Sequence, residues 1–290
     1  MENLDGKIIL TTEELDNILK ETYKSGVEDS QERRNNKITG YRKKLHKEEF
    51  YKELKHVCGS FYFNFYNKFK ITERQYLFRF IYLCTFMDYD NYLANNRRLY
   101  KEDDLQNLLK LSRAEYFNTK KFLIENSLIK ITKYKNILVN KKYCKKGDLK
   151  MEKNIEVVRI FDKAIKELYE KSAPKEHRRL ALLFEILPYI NFNHNILCKN
   201  PLEDDFMKIE PLSLKELCVL IGCDPKRPSV LKKRLFNLTV DGDIVIGIFD
   251  KIIGSCIYVN PKVYYKGELD ISEFEYLIRM FKLGNKKYSQ

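Results

Sequence analysis

Two short segments gather cations and hydrogen-bonding side chains at helical spacing: Arg113, Asn118, Lys120 and Lys121 in one, and Lys226, Arg227, Ser229, Lys232, Lys233 and Arg234 in the other. Arginine and asparagine carry paired polar groups that match guanine and adenine edges in the major groove, whereas lysine suits phosphate oxygens. Further cations fall in turns downstream, Lys133 and Lys135 after the first segment and Lys251 after the second, where they could reach backbone or minor groove. Upstream, residues 33–47 carry Arg33, Arg34, Lys37, Arg42, Lys43, Lys44 and Lys47 with no acidic residue. That stretch is either a solvated linker or a basic arm that neutralises DNA phosphates.

Composition agrees with a polyanionic partner. The 290 residues hold 54 Lys and Arg against 41 Asp and Glu, a net charge of +13. Duplex DNA is the first candidate and an anionic membrane surface the alternative, although a Lys-rich chain also follows from an AT-rich genome. The 44% of hydrophobic residues can fill cores, and the length suits two domains with extensions. Seven scattered cysteines without a C-x-x-C pair, and no apparent signal peptide, read as reduced thiols of a cytoplasmic protein. The four histidines are far apart; Cys218 and Cys223 alone could offer two ligands, so no metal and no cofactor is expected. The longest apolar run, from Tyr76 to Met87, is short and interrupted by Arg79, so no membrane span is expected.

Catalytic chemistry is not expected, and no catalytic residue is assigned. The chain contains no G-x-x-x-x-G-K-Ser/Thr loop, no His-x-His pair, no H-E-x-x-H and no G-x-S-x-G. Its 20 tyrosines include no identifiable nucleophile. The acidic pairs Asp103-Asp104 and Asp204-Asp205 suit helix starts or solvent.

The elements that must position these residues recur. Ile137-Leu-Val-Asn-Lys-Lys-Tyr-Cys-Lys-Lys-Gly-Asp-Leu149 returns as Ile257-Tyr-Val-Asn-Pro-Lys-Val-Tyr-Tyr-Lys-Gly-Glu-Leu269, with seven of thirteen positions identical at an offset of 120. Further matches precede it, Tyr66, Lys68, Glu73 and Leu77 at an offset of 103 and Leu105, Leu108, Lys120, Lys121 and Leu123 at 112. Preserved order with drifting spacing indicates one module present twice. The expected organisation is an N-terminal helix and basic arm over 1–49, modules over 50–149 and 150–269, and a C-terminal helix with a basic tail over 270–290.

Within the first module the pattern predicts helices over Phe50–Lys68, Thr72–Tyr89, Glu102–Lys110 and Arg113–Asn126, then strands from Leu128 and Ile137 around a Lys133–Asn136 turn. The second predicts a helix within Lys150–Lys171, then helices over Arg178–Asn191, Leu214–Ile221 and Ser229–Val240. A hairpin over Ile244–Phe249 and Ser255–Val259 follows, and a helix over Ile271–Leu283 closes the chain. Helix, turn, helix and hairpin in that order spell a winged helix. The fold class is therefore mainly α with small β-hairpins (α+β): two tandem winged helix-turn-helix domains from an internal duplication. Leu231, Leu235 and Leu238 fall on the core side, which turns Lys226, Ser229 and Lys233 outward; the matching positions of the first copy are Ala114, Phe117 and Lys121. Ahead of the first module, Thr11-x-x-Glu14 opens a helix to about Lys24. Its stripe of Leu15, Ile18, Leu19 and Tyr23 packs on a domain or pairs with a second copy of the chain.

The segment Ile-Tyr-Val-Asn-Pro-Lys-Val-Tyr-Tyr-Lys-Gly at 257–267, after a helix-turn-helix, resembles the winged-helix replication proteins of Gram-positive plasmids and phages, the RepL-like type. The first copy departs from it at Lys141, Cys144 and Lys145. The tandem arrangement is also similar to theta-type plasmid initiators, whose two domains read adjacent parts of an origin repeat. The resemblance implies a sequence-specific double-stranded DNA-binding protein that initiates replication, with replication proteins as partners. A phage or plasmid transcriptional regulator of the same fold, working with transcription proteins, is the second reading, and a winged helix that holds other proteins is the third.

Overall fold

The structure, a computed structural model, describes residues 3–4, 7–8, 12–64, 73–95, 98–147, 157–251, 254–266 and 276–281. The chain divides into two compact units, Met1–Glu53 and Leu54–Gln290.

The first unit holds the short antiparallel pair β1 (Asn3–Leu4) and β2 (Lys7–Ile8), then most of one long helix, α1 (Thr12–Cys58). Two expectations are corrected here. The helix does not stop near Lys24, and residues 25–46 are helical instead of a linker. The physical reason is composition: this stretch has no proline and is filled with Lys, Arg, Glu and Gln, which lose little side-chain freedom in a helix. Gly26 and Gly40 cost about 1 kcal/mol each relative to alanine, too little to break it. Thr11 lies outside the described residues.

The second unit is mixed α/β, with helices around small antiparallel sheets. After α1 the chain forms β3 (Ser60–Asn64), where a helix through Lys68 was expected; residues 65–68 lie outside the described residues. The switch follows Gly59, whose φ of +56° suits glycine; a Cβ there would meet the Asp162 carboxylate at 2.5 Å. Next come α2 (Arg74–Cys84) and the small hairpin β4 (Ala94–Asn95) and β5 (Arg98–Leu99). Then follow α3 (Leu105–Leu109), α4 (Arg113–Glu125), the hairpin β6 (Ile129–Ile131) and β7 (Ile137–Val139), and β8 (Cys144–Lys145).

The second half opens on β9 (Val157–Phe161), not on a helix, and continues as α5 (Asp162–Glu170). The helix expected over 178–191 is broken into α6 (His177–Leu180), α7 (Leu182–Glu185) and a 3-10 turn at Leu187–Tyr189, the last where Pro188 lacks the backbone donor that would continue an α-helix. There follow α8 (Leu214–Leu220) and α9 (Pro228–Leu235). The chain then forms β10 (Thr239–Val240), β11 (Asp243–Ile244), β12 (Ile246–Lys251), β13 (Gly254–Val259) and β14 (Tyr264–Tyr265). The helix expected to reach Val240 ends at Leu235, because Asp241 and Gly242, both at positive φ, make a tight turn that pairs Val240 with Asp243. Of the expected C-terminal helix, 276–281 is described and helical.

One four-stranded sheet joins the two halves in the order β14-β9-β3-β8, an inner and an outer strand from each. Its central register places Tyr62 opposite Arg159, with Phe61 opposite Ile160 and Ser60 opposite Phe161. The outer strands repeat the relation: Tyr62 faces Lys145 while Arg159 faces Tyr265. Tyr62 and Arg159 are thus matching residues of the two halves, and the sheet has a local two-fold axis between them.

Polar clamps recur as well. Buried Asn91, at φ 71°, donates its amide to Val139 O (3.4 Å) and Cys144 O (2.7 Å). Buried Asn195, at φ 52°, donates to Val259 O and Tyr264 O, both at 3.0 Å. Each asparagine's backbone carbonyl in turn accepts the backbone N–H of that valine. The aromatic stripe of α2 is core: Phe78, Phe80 and Tyr82 are fully or nearly fully buried, and Tyr82 stacks on Tyr169 at 3.6 Å between ring centres. Buried Arg79 is held by His177 Nδ1 (3.1 Å), Thr119 Oγ1 (2.8 Å) and Glu115 (3.1 Å). Among the described residues no helix is long and apolar enough to cross a membrane.

Candidate nucleic-acid interface

Each half carries a short helix, a turn and a second helix. In the first, α3 ends at Lys110, whose φ of +50° reverses the chain. Leu111 and Ser112 bridge to α4, and the Ser112 hydroxyl accepts from Glu115 N (3.4 Å), capping the exposed amides of the new helix. In the second, Ser213 and Glu216 form a reciprocal capping box at the start of α8, and Pro228 begins α9 with its φ already helical.

Burial orients both second helices. Tyr116, Thr119 and Leu123 face inward on α4, and Leu231 and Leu235 on α9. Ala114, Phe117 and Lys121 are exposed in the first half, as are Lys226, Ser229 and Lys233 in the second. Arg113 and Asn118 are also exposed, with the Arg113 guanidinium 5.8 Å from the Phe117 ring centre.

The cations of the first half are not equally free. Lys120 Nζ is 2.6 Å from Glu102 Oε1 and half-buried against Tyr116 and Phe117. Its pKa is raised, first by that hydrogen bond, so its charge is spent within the protein. Lys121 is exposed and only 3.9 Å from equally exposed Glu125, a weak solvated pair. In the hairpin turn Lys135 adopts φ +62° and lies 3.8 Å from Asp103, while Lys133 sits over the exposed Tyr134 ring at 4.9 Å.

In the second half Lys226, Lys232 and Lys233 are exposed and make no ion pair with any described residue. Arg227 lies 3.8 Å from Asp224, and both Arg227 and Arg234 sit on the flank of α9 that faces a cleft against α6. Lys251 ends β12 and pairs in register with Gly254; the tip between them lies outside the described residues. On α1, Arg33, Arg34, Arg42 and Lys44 are exposed along the helix that also carries Lys43, in the unit separate from the rest of these residues.

Sequence reasoning missed one contact. Glu102 as the partner of Lys120 was hidden because the contact spans a turn and no helical spacing links the residues. The flank position of Arg227 and Arg234 was legible, since both lie beside the Leu231 and Leu235 stripe and not opposite it. Comparison with family models, with curated proteins and with solved structures finds no match for this chain.

Proposed function

We propose that each half of residues 54–290 is a winged helix, and that the chain binds double-stranded DNA through α4 and α9 as the initiator of replication of a plasmid or phage. The observation that carries this reading is the repeated presentation of a second helix whose outward row, Lys121 in one half and Lys226, Ser229 and Lys233 in the other, is exposed while its inner row is core. A helix of that kind fits the major groove, and its first turns meet base edges. The local two-fold relation at Tyr62 and Arg159 supports a site of two half-sites, as a dimer of single helix-turn-helix domains would require. Arg113 and Asn118 are assigned to bases; Lys121, Lys133, Lys226, Lys232 and Lys233 to phosphates. The exposed cations of α1 support a supplementary backbone contact by that helix.

The test is selection of bound fragments from the DNA of the element that encodes the chain, followed by binding of the selected duplex over a salt series. Fragments clustering in iterated repeats at an origin support an initiator, and fragments upstream of genes support a transcriptional regulator of the same fold. Lys226→Glu with Lys233→Glu should lower affinity and reduce the slope of log K against log salt by about 2, one counterion term of ~0.9 per phosphate. An unchanged slope would remove α9 from the interface.

A further inference from the structure

Beyond the DNA-reading faces, the two halves differ at one matching place, the groove between the first long helix and the flank of the second helix of the pair. In the first half this groove is closed: Tyr76 on α2 packs against Phe122 on α4 at 4.6 Å between ring centres, with Arg79, Thr119 and Glu115 bonded beneath them. At the offsets of 103 and 112, the residues standing in those positions in the second half are Arg179 for Tyr76, Arg234 for Phe122, Arg227 for Glu115, Leu182 for Arg79 and Leu231 for Thr119. Two arginines that repel one another replace two aromatic rings that attract, and the groove is open.

The open groove is a cleft of about 330 Å³ lined by Arg74, Lys175, Arg178, Arg179, Leu182 and Arg234. A second hollow of about 280 Å³ shares Arg74 and Arg234 and adds Arg227. Three of these cations have carboxylate partners: Arg74 with Glu185 (2.6 Å), Arg179 with Glu176 (3.0 Å) and Arg227 with Asp224 (3.8 Å). Lys175, Arg178 and Arg234 have none among the described residues. Arg179 Nε is buried without a hydrogen-bond partner. Like charges drawn together at one concavity with only part of them compensated raise the energy of the empty site, and an anion that enters lowers it. Arginine forks match phosphate oxygens in particular, through paired N–H groups.

We propose that this cleft binds a phosphate-bearing ligand, at a site that the first half has lost or never had. Two sources share that chemistry, a free polyphosphorylated compound and a backbone phosphate of the bound duplex. The cleft opens on the flank of α9, beside but not on the row that faces outward, so occupancy and base reading are separable.

The test uses the full chain, with tripolyphosphate as the free probe and the selected duplex as the other, measured by calorimetric titration at low ionic strength. Lys175→Gln with Arg178→Gln removes two exposed charges without touching the core, and Lys141→Gln with Lys142→Gln, at exposed lysines given no part in duplex binding, serves as the charge-matched control. Tripolyphosphate is expected to bind the wild type and the control alike and to bind the cleft variant at least about tenfold more weakly. If duplex affinity stays level and tripolyphosphate does not compete with duplex, the ligand is a free phosphorylated compound. If the cleft variant loses both and tripolyphosphate competes with duplex, a backbone phosphate occupies the cleft. Failure of tripolyphosphate to bind, or equal binding by the cleft variant and the control, overturns the proposal. The free probe reads the site even if the chain binds no duplex.

Discussion

Arg159 Nη2 donates to the Tyr62 hydroxyl at 2.9 Å while its guanidinium lies 5.3 Å from the centre of the same ring, across the register point where the two halves of the chain meet. Positions related by the local two-fold axis of the sheet hold complementary partners, a phenol and a guanidinium. Identical residues on a two-fold axis would face their own likeness, and two arginines there would repel. The unlike pair at the axis thus stabilises the joint sheet and ties the halves to one another.

Tyr62→Phe keeps the ring and the cation-π contact and removes only the hydroxyl. It should cost about 1 kcal/mol, the usual net value of one hydrogen bond, and slightly more if the guanidinium is left short of a partner. Arg159→Leu removes both contacts and should cost more than Tyr62→Phe. Urea unfolding of both variants and of the double variant closes a thermodynamic cycle; a coupling energy of zero would show that the pair contributes nothing.

The asparagine clamps offer a second test. Asn91→Gly and Asn195→Gly preserve the left-handed backbone and delete the amide, so backbone strain does not enter. Each should lose about 2 kcal/mol, from two donated bonds of roughly 1 kcal/mol each. Alanine at the same positions adds the cost of positive φ and should be worse than glycine in both halves. The urea midpoint is the measurement, and a glycine variant as stable as wild type would reduce the clamp to packing.

Acid titration sets two buried groups against each other. Burial pushes Asp162 up from 3.8 to about 6, opposed by Lys146 at 3.1 Å. Between those values the folded chain holds a proton that the unfolded chain has lost, so this group alone makes stability fall as pH rises. His177 runs the other way: burial and then the Arg79 charge push it down from 6.5 to about 3, so the unfolded chain holds the extra proton and stability falls as pH falls. From pH 3.8 to 6 the two slopes oppose. Asp162→Asn should therefore expose a steady loss of stability on acidification below pH 6.5, and His177→Gln should expose a gain between pH 6 and 3.8. Urea midpoints across that range decide it, and parallel profiles for wild type and both variants would contradict the assignment.

How much of this was legible in the sequence depended on the range of the forces involved. The α3–α4 and α8–α9 pairs were readable because capping residues and apolar spacing act within one or two turns: Ser112, Ser213 and Leu231 each announce their element locally. Strands β3 and β9 were read as helix. Phe61, Phe63, Val158 and Ile160 share one buried face of the joint sheet, while the opposite face carries Tyr62, itself buried, and Arg159, so the polar-apolar alternation that marks a half-exposed strand was blurred. Tertiary pairing then overrode local preference. The continuous α1 was missed for the opposite reason, since its basic stretch lacks an apolar stripe and its helicity rests on propensity alone.

The same limit applies to the cations, and it yields the last prediction. Lys120 and Lys121 are neighbours with the same side chain, and sequence alone treats them alike. In the fold Lys120 is bonded to Glu102 at 2.6 Å, whereas Lys121 extends into solvent. Lys120→Gln should leave the salt dependence of duplex binding nearly level and lower stability by a few tenths to about 1 kcal/mol, the range of a partly exposed ion pair. Lys121→Gln should do the reverse, reducing the log–log salt slope by about 0.9 with stability unchanged. Fluorescence anisotropy over a salt series, paired with urea unfolding of the same samples, separates the two. Equal slopes for both variants would mean that the Lys120–Glu102 pair opens when duplex is bound, and that Glu102 is then exchanged for a phosphate.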